Sequence, residues 1–217
     1  MPVQNNRDLK SLQDNNTITI DSKTFSSKFF SNIFWKVVDS LACKSNFISN
    51  KYENIIGKEY KEEYKQFKIP DYQKVLHIGC GAYPLTEITL SELPGKEIVG
   101  IDKNPKAIVC ANKIIQKRRL ENKITIKHGN GINFPIKGFD FIIISSCSYP
   151  KEKILENIFN NADKNCIIIF RDIDSEFFNI MDFIEKYEYI DIIKKTRFKT
   201  RFLISVYWYS AYLTKKK

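Results

Sequence analysis

The residues best equipped for chemistry gather around one short run, Val75-Leu76-His77-Ile78-Gly79-Cys80-Gly81-Ala82-Tyr83-Pro84-Leu85-Thr86. An apolar, strand-like stretch leads directly into Gly79-Cys80-Gly81 and then into a helix start. Glycine permits the tight turn, and its missing Cβ lets a nucleotide-like ligand approach the backbone. About 20 residues later a second strand, Ile98-Val99-Gly100-Ile101, ends in Asp102 and Lys103. An acid at that point accepts hydrogen bonds from ribose hydroxyls. Pro84 stands where a dinucleotide fingerprint places its third glycine, which speaks against a pyrophosphate and for a nucleoside ligand without one. A further strand end, Ser145-Ser146-Cys147, falls at the switch-point crevice where open α/β sheets bind ligands. Metal chemistry finds no support, because His77 and His128 lie far apart and the five cysteines form no C-x-x-C pair. Cys147 has no accompanying His, so it reads as wall and not as nucleophile.

These residues must be held by alternating strands and helices. Strands are predicted at Val75–Ile78, Glu97–Ile101, Ile124–Lys127, Phe139–Ser145 and Cys166–Phe170. Helices are predicted over Leu85–Leu93, Pro105–Lys117, Lys151–Asn161 and Ser175–Lys186. The β-branched character of the strands suits a parallel sheet buried on both faces, with the helices as crossovers. Tyr189–Ile193 and Phe202–Tyr212 have no helix between them, which predicts an antiparallel C-terminal hairpin. Ahead of Pro70, residues 1–20 are polar and read as a loosely ordered tail. Phe25, Phe29, Phe30, Ile33, Phe34, Val37, Val38 and Leu41 then mark one face of a helix. A second helix is expected over about 49–66. The fold class is α/β and Rossmann-like, with residues 71–217 as the ligand-binding domain and residues 1–70 as a polar tail and helical cap that can close over the ligand.

Composition narrows the classes. The 217 residues suit one domain with an extension. No apolar run is long enough for a transmembrane helix, and the polar N-terminus lacks a signal-peptide core. Widely spaced cysteines in odd number point to a reducing cytoplasm. The net charge of +10 raises the question of nucleic acid, but 29 of the 35 cationic residues are Lys and six are Arg. Arg is the preferred reader of bases and phosphates, and the excess is spread along the chain, with its densest patch at Lys194, Lys195, Arg197, Lys199 and Arg201. Nucleic acid is therefore a possible partner and not the favoured one.

The glycine turn His77-Ile78-Gly79-Cys80-Gly81, with Asp102 and Asn130-Gly131 at the next strand ends, resembles the cofactor motifs of class I S-adenosylmethionine-dependent methyltransferases. The resemblance implies a mostly parallel seven-stranded sheet closed by an antiparallel hairpin, with S-adenosylmethionine as cofactor. It places Gly79, Cys80, Gly81, Asp102, Lys103, Asn130, Gly131, Ser145 and Ser146 at the cofactor. Residues 74–172 are similar, more narrowly, to the core of the nicotianamine synthase family, which transfers the aminocarboxypropyl arm of S-adenosylmethionine. The shared features are the glycine turn followed by Pro84-Leu85-Thr86, Pro150-Lys151-Glu152-Lys153 after the fourth strand, and Phe170-Arg171 at a strand end. Asn50-Lys51-Tyr52 matches a Pro-Arg-Tyr segment of that family, which implies a catalytic role for Tyr52. The family's N-terminal catalytic Glu has no counterpart, as its place falls near Lys23–Lys28, and a base for an amine nucleophile is left unassigned.

On the acceptor side the expected residues are Cys147, Tyr149 and Arg171. Arg171 has two readings, a grip on a carboxylate or a salt bridge to Asp172 or Asp174. Tyr52 likewise reads as either a catalytic phenol or a core-facing amphipathic side chain, and His77 as a structural histidine. The expected function is S-adenosylmethionine-dependent transfer to a small-molecule acceptor, with methyl favoured over aminocarboxypropyl. An RNA or protein methyltransferase is the further alternative, although the Asn-Pro-Pro-Tyr-like motif of base amino-methylating enzymes is absent at Ser145–Tyr149. A catalytically silent ligand-binding module is the third.

Overall fold

The computed structural model describes residues 25–68, 73–201 and 205–216. The polar tail at residues 1–20, the Lys23 end of the expected Glu position and Pro70 lie outside them. In chain order the elements are α1 (Phe25–Ala42), α2 (Asn46–Tyr52), a π-helical turn (Glu53–Gly57), α3 (Lys58–Gln66), β1 (Lys74–Ile78), α4 (Leu85–Ser91), β2 (Glu97–Asp102), α5 (Pro105–Lys117), β3 (Ile124–His128), β4 (Phe141–Ile144), α6 (Lys151–Asn161), β5 (Ile167–Asp172), α7 (Asp174–Ile184), β6 (Ile190–Arg201) and β7 (Ser205–Lys215).

The strands form one seven-stranded sheet in the order β3-β2-β1-β4-β5-β7-β6. Strands β1 to β5 pair in parallel, while β7 is antiparallel to both β5 and β6. The chain order reverses direction across the sheet between β1 and β4, the switch point where α/β folds open a crevice beyond the strand ends. Alternate side chains of the central strands feed two cores. Val75, Ile98, Ile143 and Ile169 pack on one face with residues of α1 to α5, and Leu76, Val99, Ile142 and Ile168 on the other with α6 and α7. The β-branched runs are buried on both faces, as parallel strands between helices require.

The cap helices belong to the first of these cores. Val38, Ala42, Tyr52, Ile56, Tyr64 and Phe67 are all buried in it, and Phe67 stacks on Tyr212 of β7 at 4.9 Å. The described turns of α1 meet the core differently from the apolar pattern. Val38 and Ala42 face inward, whereas Ile33, Val37 and Leu41 are 43%, 49% and 44% exposed. Trp35, Val38 and Asp39 face the sheet end because the helix is rotated toward the glycine turn. The expected helix over 49–66 begins at Asn46, where Ser45 caps it by accepting from the Ile48 amide, and it is widened by the π turn just after Tyr52. The expected hairpin is longer than its apolar runs. The basic stretch after Ile193 does not break the strand but continues β6, with a register shift between Ile192 and Lys194.

Candidate active site

The turn after β1 depends on its glycines. Gly79 and Gly81 sit at φ +89° and +69°, and a Cβ on either would lie 2.2 Å from the Ser148 Oγ or the Asp39 Oδ2. The Gly79 and Cys80 amides donate to the Ile101 carbonyl at 2.8 and 3.0 Å, and the Ser148 hydroxyl donates to the Ile78 carbonyl at 2.8 Å. β2 thus delivers Asp102 beside the turn, where its carboxylate accepts from the Gly81 amide at 3.0 Å and the Asn104 amide at 2.8 Å. Lys103 is exposed and donates to the Tyr149 carbonyl at 3.1 Å, tying two strand ends together. At the end of β3, Asn130 is exposed and its Oδ1 accepts from the Ile132 amide. Gly131 is buried, and a Cβ there would lie 2.6 Å from Ile78.

Ser145, Ser146 and Cys147 follow β4, all half-buried. Their loop is pinned from below by Lys151, which is 1% exposed, donates to the Ser145, Ser146 and Arg171 carbonyls, and pairs with Asp172 at 2.7 Å. Burial pushes the Cys147 thiol up to about 11, so at neutral pH it is a thiol, in keeping with a wall position. Burial also raises Cys80.

Arg171 lies elsewhere than at an acceptor carboxylate. It is 2% exposed, and its Nε donates to both Glu63 oxygens at 3.2 and 3.0 Å while Nη2 donates to Oε2 at 2.5 Å. Nη1 donates to Thr86, and Ser210 donates to the same Glu63 carboxylate. Its guanidinium also covers the Tyr60 ring at 3.8 Å. The salt-bridge reading therefore describes Arg171, with Glu63 of the cap as partner. Asp172 instead pairs with Lys151, and the Asp174 side chain lies outside those described. Tyr149 is 58% exposed at the crevice rim. His77 is buried and its Nδ1 meets Glu87 Oε1 at 2.7 Å, a pair beneath the glycine turn.

The cap completes the site with a residue the sequence did not single out. Asp39 of α1 reaches over the glycine turn and accepts from the Ala82 and Tyr83 amides and from the Tyr52 hydroxyl. Burial in the crevice wall, only partly offset by those hydrogen bonds, pushes its carboxyl up to about 8. Burial and then the Asp39 carboxyl raise the Tyr52 phenol well above its ordinary value. Tyr52 is held between Trp35 and Tyr83, with ring centroids 5.9 and 6.0 Å away. A second link lies nearby, where Tyr83 and Arg118 both hydrogen-bond Glu53. The pairing of Asp39 with Tyr52 spans a helix–helix junction and is invisible to local spacing, although an acid on the inward side of an apolar helix is the one signal that points to it.

Together these residues enclose a crevice of about 620 Å³, lined by the glycine turn, Asp39, Tyr52, Asp102, the Ser145–Cys147 loop and Trp208. Its shape fits a nucleoside without a diphosphate. Pro84 caps α4, which is buried along its length, and the Leu85 amide is taken by the Tyr83 carbonyl at 2.8 Å, so this helix end presents no open phosphate cradle. Asp102 beside a bare glycine backbone suits a ribose. Among the described residues no His/Cys/Asp/Glu cluster could hold a metal ion, and no helix is long and apolar enough to cross a membrane.

A family model described as a methyltransferase domain matches residues 70–207. Demethylmenaquinone methyltransferase of Lactobacillus johnsonii is 25% identical over 114 residues, covering 52% of this chain and 46% of that protein, so the chain spans less than half of this relative. Among solved structures, a variant of the nicotianamine synthase MtNAS in complex with S-adenosylmethionine superposes with a TM-score of 0.65 at 17% identity, over 88% of this chain and 76% of that one. The precorrin-6y C5,15-methyltransferase of Geobacter metallireducens gives 0.57 at 13% identity, over 70% and 86%. A putative RNA methyltransferase of Pyrococcus horikoshii gives 0.60 at 13% identity, over 74% and 86%. At these identities the superpositions establish the Rossmann-like methyltransferase fold, while the matched domain, with its glycine turn and strand-end acid, makes this chain a member of the methyltransferase-domain family.

Proposed function

We propose that the protein transfers a methyl group from S-adenosylmethionine to a small-molecule nucleophile held between the cap helices and the β4–β5–β7 strand ends. The observation that carries this reading is the Asp39–Tyr52 pair, which stands over the glycine turn inside the crevice. The sulfonium supplies an activated carbon and a good leaving group, so the chain contributes orientation, exclusion of water and a place for the acceptor's proton. Gly79, Gly81 and Asp102 hold the nucleoside, and Ser145 and Ser146 border it. Asp39 takes the proton, because a carboxyl near pKa 8 is matched to the ionisation of an acceptor hydroxyl or amine at working pH. Tyr52 donates to that carboxylate and fixes its orientation. Cys147 and Tyr149 line the acceptor side, whereas Arg171 supports the wall from behind.

A second reading, aminocarboxypropyl transfer to an amine, draws support from the cap. MtNAS structures align over 84–88% of the chain and the other methyltransferase neighbours named above over 70–74%, and Tyr52 is buried at the crevice. Both readings use Asp39. Asp39→Asn is expected to lower consumption of S-adenosylmethionine in the presence of pooled small nucleophiles by about 10²–10⁴-fold while cofactor affinity stays within a few fold. Undiminished turnover in the variant would remove Asp39 from the reaction.

A further inference from the structure

The acceptor side of the crevice is walled by rings. Trp35, Tyr52 and Tyr60 come from the cap helices and Trp208 from β7. Side chains of β7 alternate, so Trp208 shares its face with Ser210, which reaches Glu63, and with Tyr212, which stacks on Phe67. That face is the one turned toward the cap. Tyr60 meets Trp208 edge to face at 6.1 Å, and Tyr52 lies between Trp35 and Tyr83. The wall therefore runs without a break from Asp39, which Tyr52 hydrogen-bonds, to the C-terminal hairpin.

Among the described residues, the buried charges beside these rings are already met. Glu63 holds the Arg171 guanidinium, and Asp172 holds Lys151. Asp39 accepts from Tyr52 and two backbone amides, and with its carboxyl pushed up to about 8 it is mostly neutral at neutral pH. Lys36, Lys103 and Lys106 line the crevice mouth but are exposed, where water screens them. A carboxylate or an ammonium placed among the rings would lose its water and gain no counter-charge, which is strongly unfavourable. Nor are open ring faces offered to a cation. Arg171 lies 3.8 Å over Tyr60, Phe198 stacks on Trp208 at 5.4 Å, and Tyr52 is flanked on both sides. Ring edges carry the positive end of the quadrupole, so they suit the electron-rich face of another aromatic ring.

We infer that the acceptor is an uncharged aromatic hydroxy compound, bound with its ring among Trp35, Tyr52, Tyr60 and Trp208 and its hydroxyl at Asp39. The inference rests on the transferase reading and names the acceptor class for it. In the transfer the hydroxyl oxygen bonds to the methyl carbon while the carbon–sulfur bond breaks and leaves its electron pair on sulfur. The hydroxyl proton passes to the Asp39 carboxylate.

The test uses the full chain with saturating S-adenosylhomocysteine, which occupies the cofactor site without turnover, and equilibrium dialysis follows both cofactor and probe. The probes share one bicyclic frame: 2-naphthol, 2-naphthoate, 2-naphthylmethylammonium and the saturated alcohol decahydro-2-naphthol. 2-Naphthol is expected to bind about 10-fold or more tightly than either ion, and about 3-fold or more tightly than the saturated alcohol. In Trp208→Leu and Trp35→Leu its affinity is expected to fall about 5-fold or more, with a smaller change for the saturated alcohol. Either variant serves, provided that it keeps the parent's cofactor affinity. Tighter binding of the carboxylate or the ammonium would overturn the uncharged acceptor, and equal binding of the saturated alcohol would overturn the aromatic one. Unchanged 2-naphthol affinity in both variants would overturn the ring wall as its site. Binding of a short RNA oligonucleotide but of none of the probes, or of nothing but the cofactor, would overturn the inference as a whole. Failure of the parent chain to bind the cofactor would instead overturn the transferase reading, and the acceptor class with it.

Discussion

A carboxyl held near pKa 8 in a crevice wall is only partly ionised at neutral pH, which couples the chemistry of Asp39 to stability. Its folded value lies above its unfolded value of 3.8, so between about pH 4 and 8 the folded chain keeps a proton that the unfolded chain releases. The contribution of Asp39 to stability is therefore greatest below about pH 4 and declines as pH rises through about 8. Melting of the ligand-free protein should fall more steeply between pH 6 and 8.5 in the parent than in Asp39→Asn, and parallel curves would contradict the placement. Turnover should run the opposite way, rising as Asp39 ionises. Gly79, Gly81 and Asp102 could be read from sequence because what they do is local, a turn at positive φ and an acid one strand away. Asp39 could not, since its partners Tyr52 and Ala82 lie 13 and 43 residues downstream and meet it only through tertiary packing.

At the scale of elements, the cap is fastened to the sheet by charge as well as by apolar packing. Glu63 of α3 and Arg171 of β5 are 0% and 2% exposed and satisfy each other with help from Thr86 and Ser210. Such a pair is worth little against an apolar substitute, but removing one member leaves an unpaired buried charge that costs about 3–5 kcal/mol. Glu63→Ala should lower the free energy of urea unfolding by that amount; a loss under about 1 kcal/mol would mean that Arg171 finds another anion. The Phe170-Arg171 phrase was legible, but the choice between substrate grip and salt bridge was not, because its partner lies 108 residues away on the cap. Helix α1 shows the same limit. Periodicity located the helix, yet the buried side centres on Val38 and Ala42 while Ile33, Val37 and Leu41 remain exposed. A helix facing a strand-end crevice is oriented by what it contacts there, and Asp39 and Trp35 turn it. The strands were read well because β-branched runs buried on both faces leave few alternatives, whereas the Lys-rich part of β6 was missed because an edge strand tolerates charge.

For the whole molecule, the net charge of +10 resolves into separate parts. Lys151 and Arg171 are buried and paired, Lys194 and Lys195 are engaged on β6, and Arg197 and Lys199 lie exposed over the Tyr207 ring of the hairpin. Asp102 and the largely protonated Asp39 stand together at the glycine turn inside the crevice. Cap, glycine turn and C-terminal hairpin thus build one site from both ends of the described chain, and the claim that follows is group transfer between two ligands held there. It is tested most directly by incubating the protein with S-adenosylmethionine and pooled small nucleophiles and identifying the cofactor-derived product. S-adenosylhomocysteine formed in step with a methylated acceptor is the predicted result. Methylthioadenosine as the product would contradict methyl transfer in favour of the aminocarboxypropyl reading, and cofactor that is bound but never consumed would contradict transfer altogether.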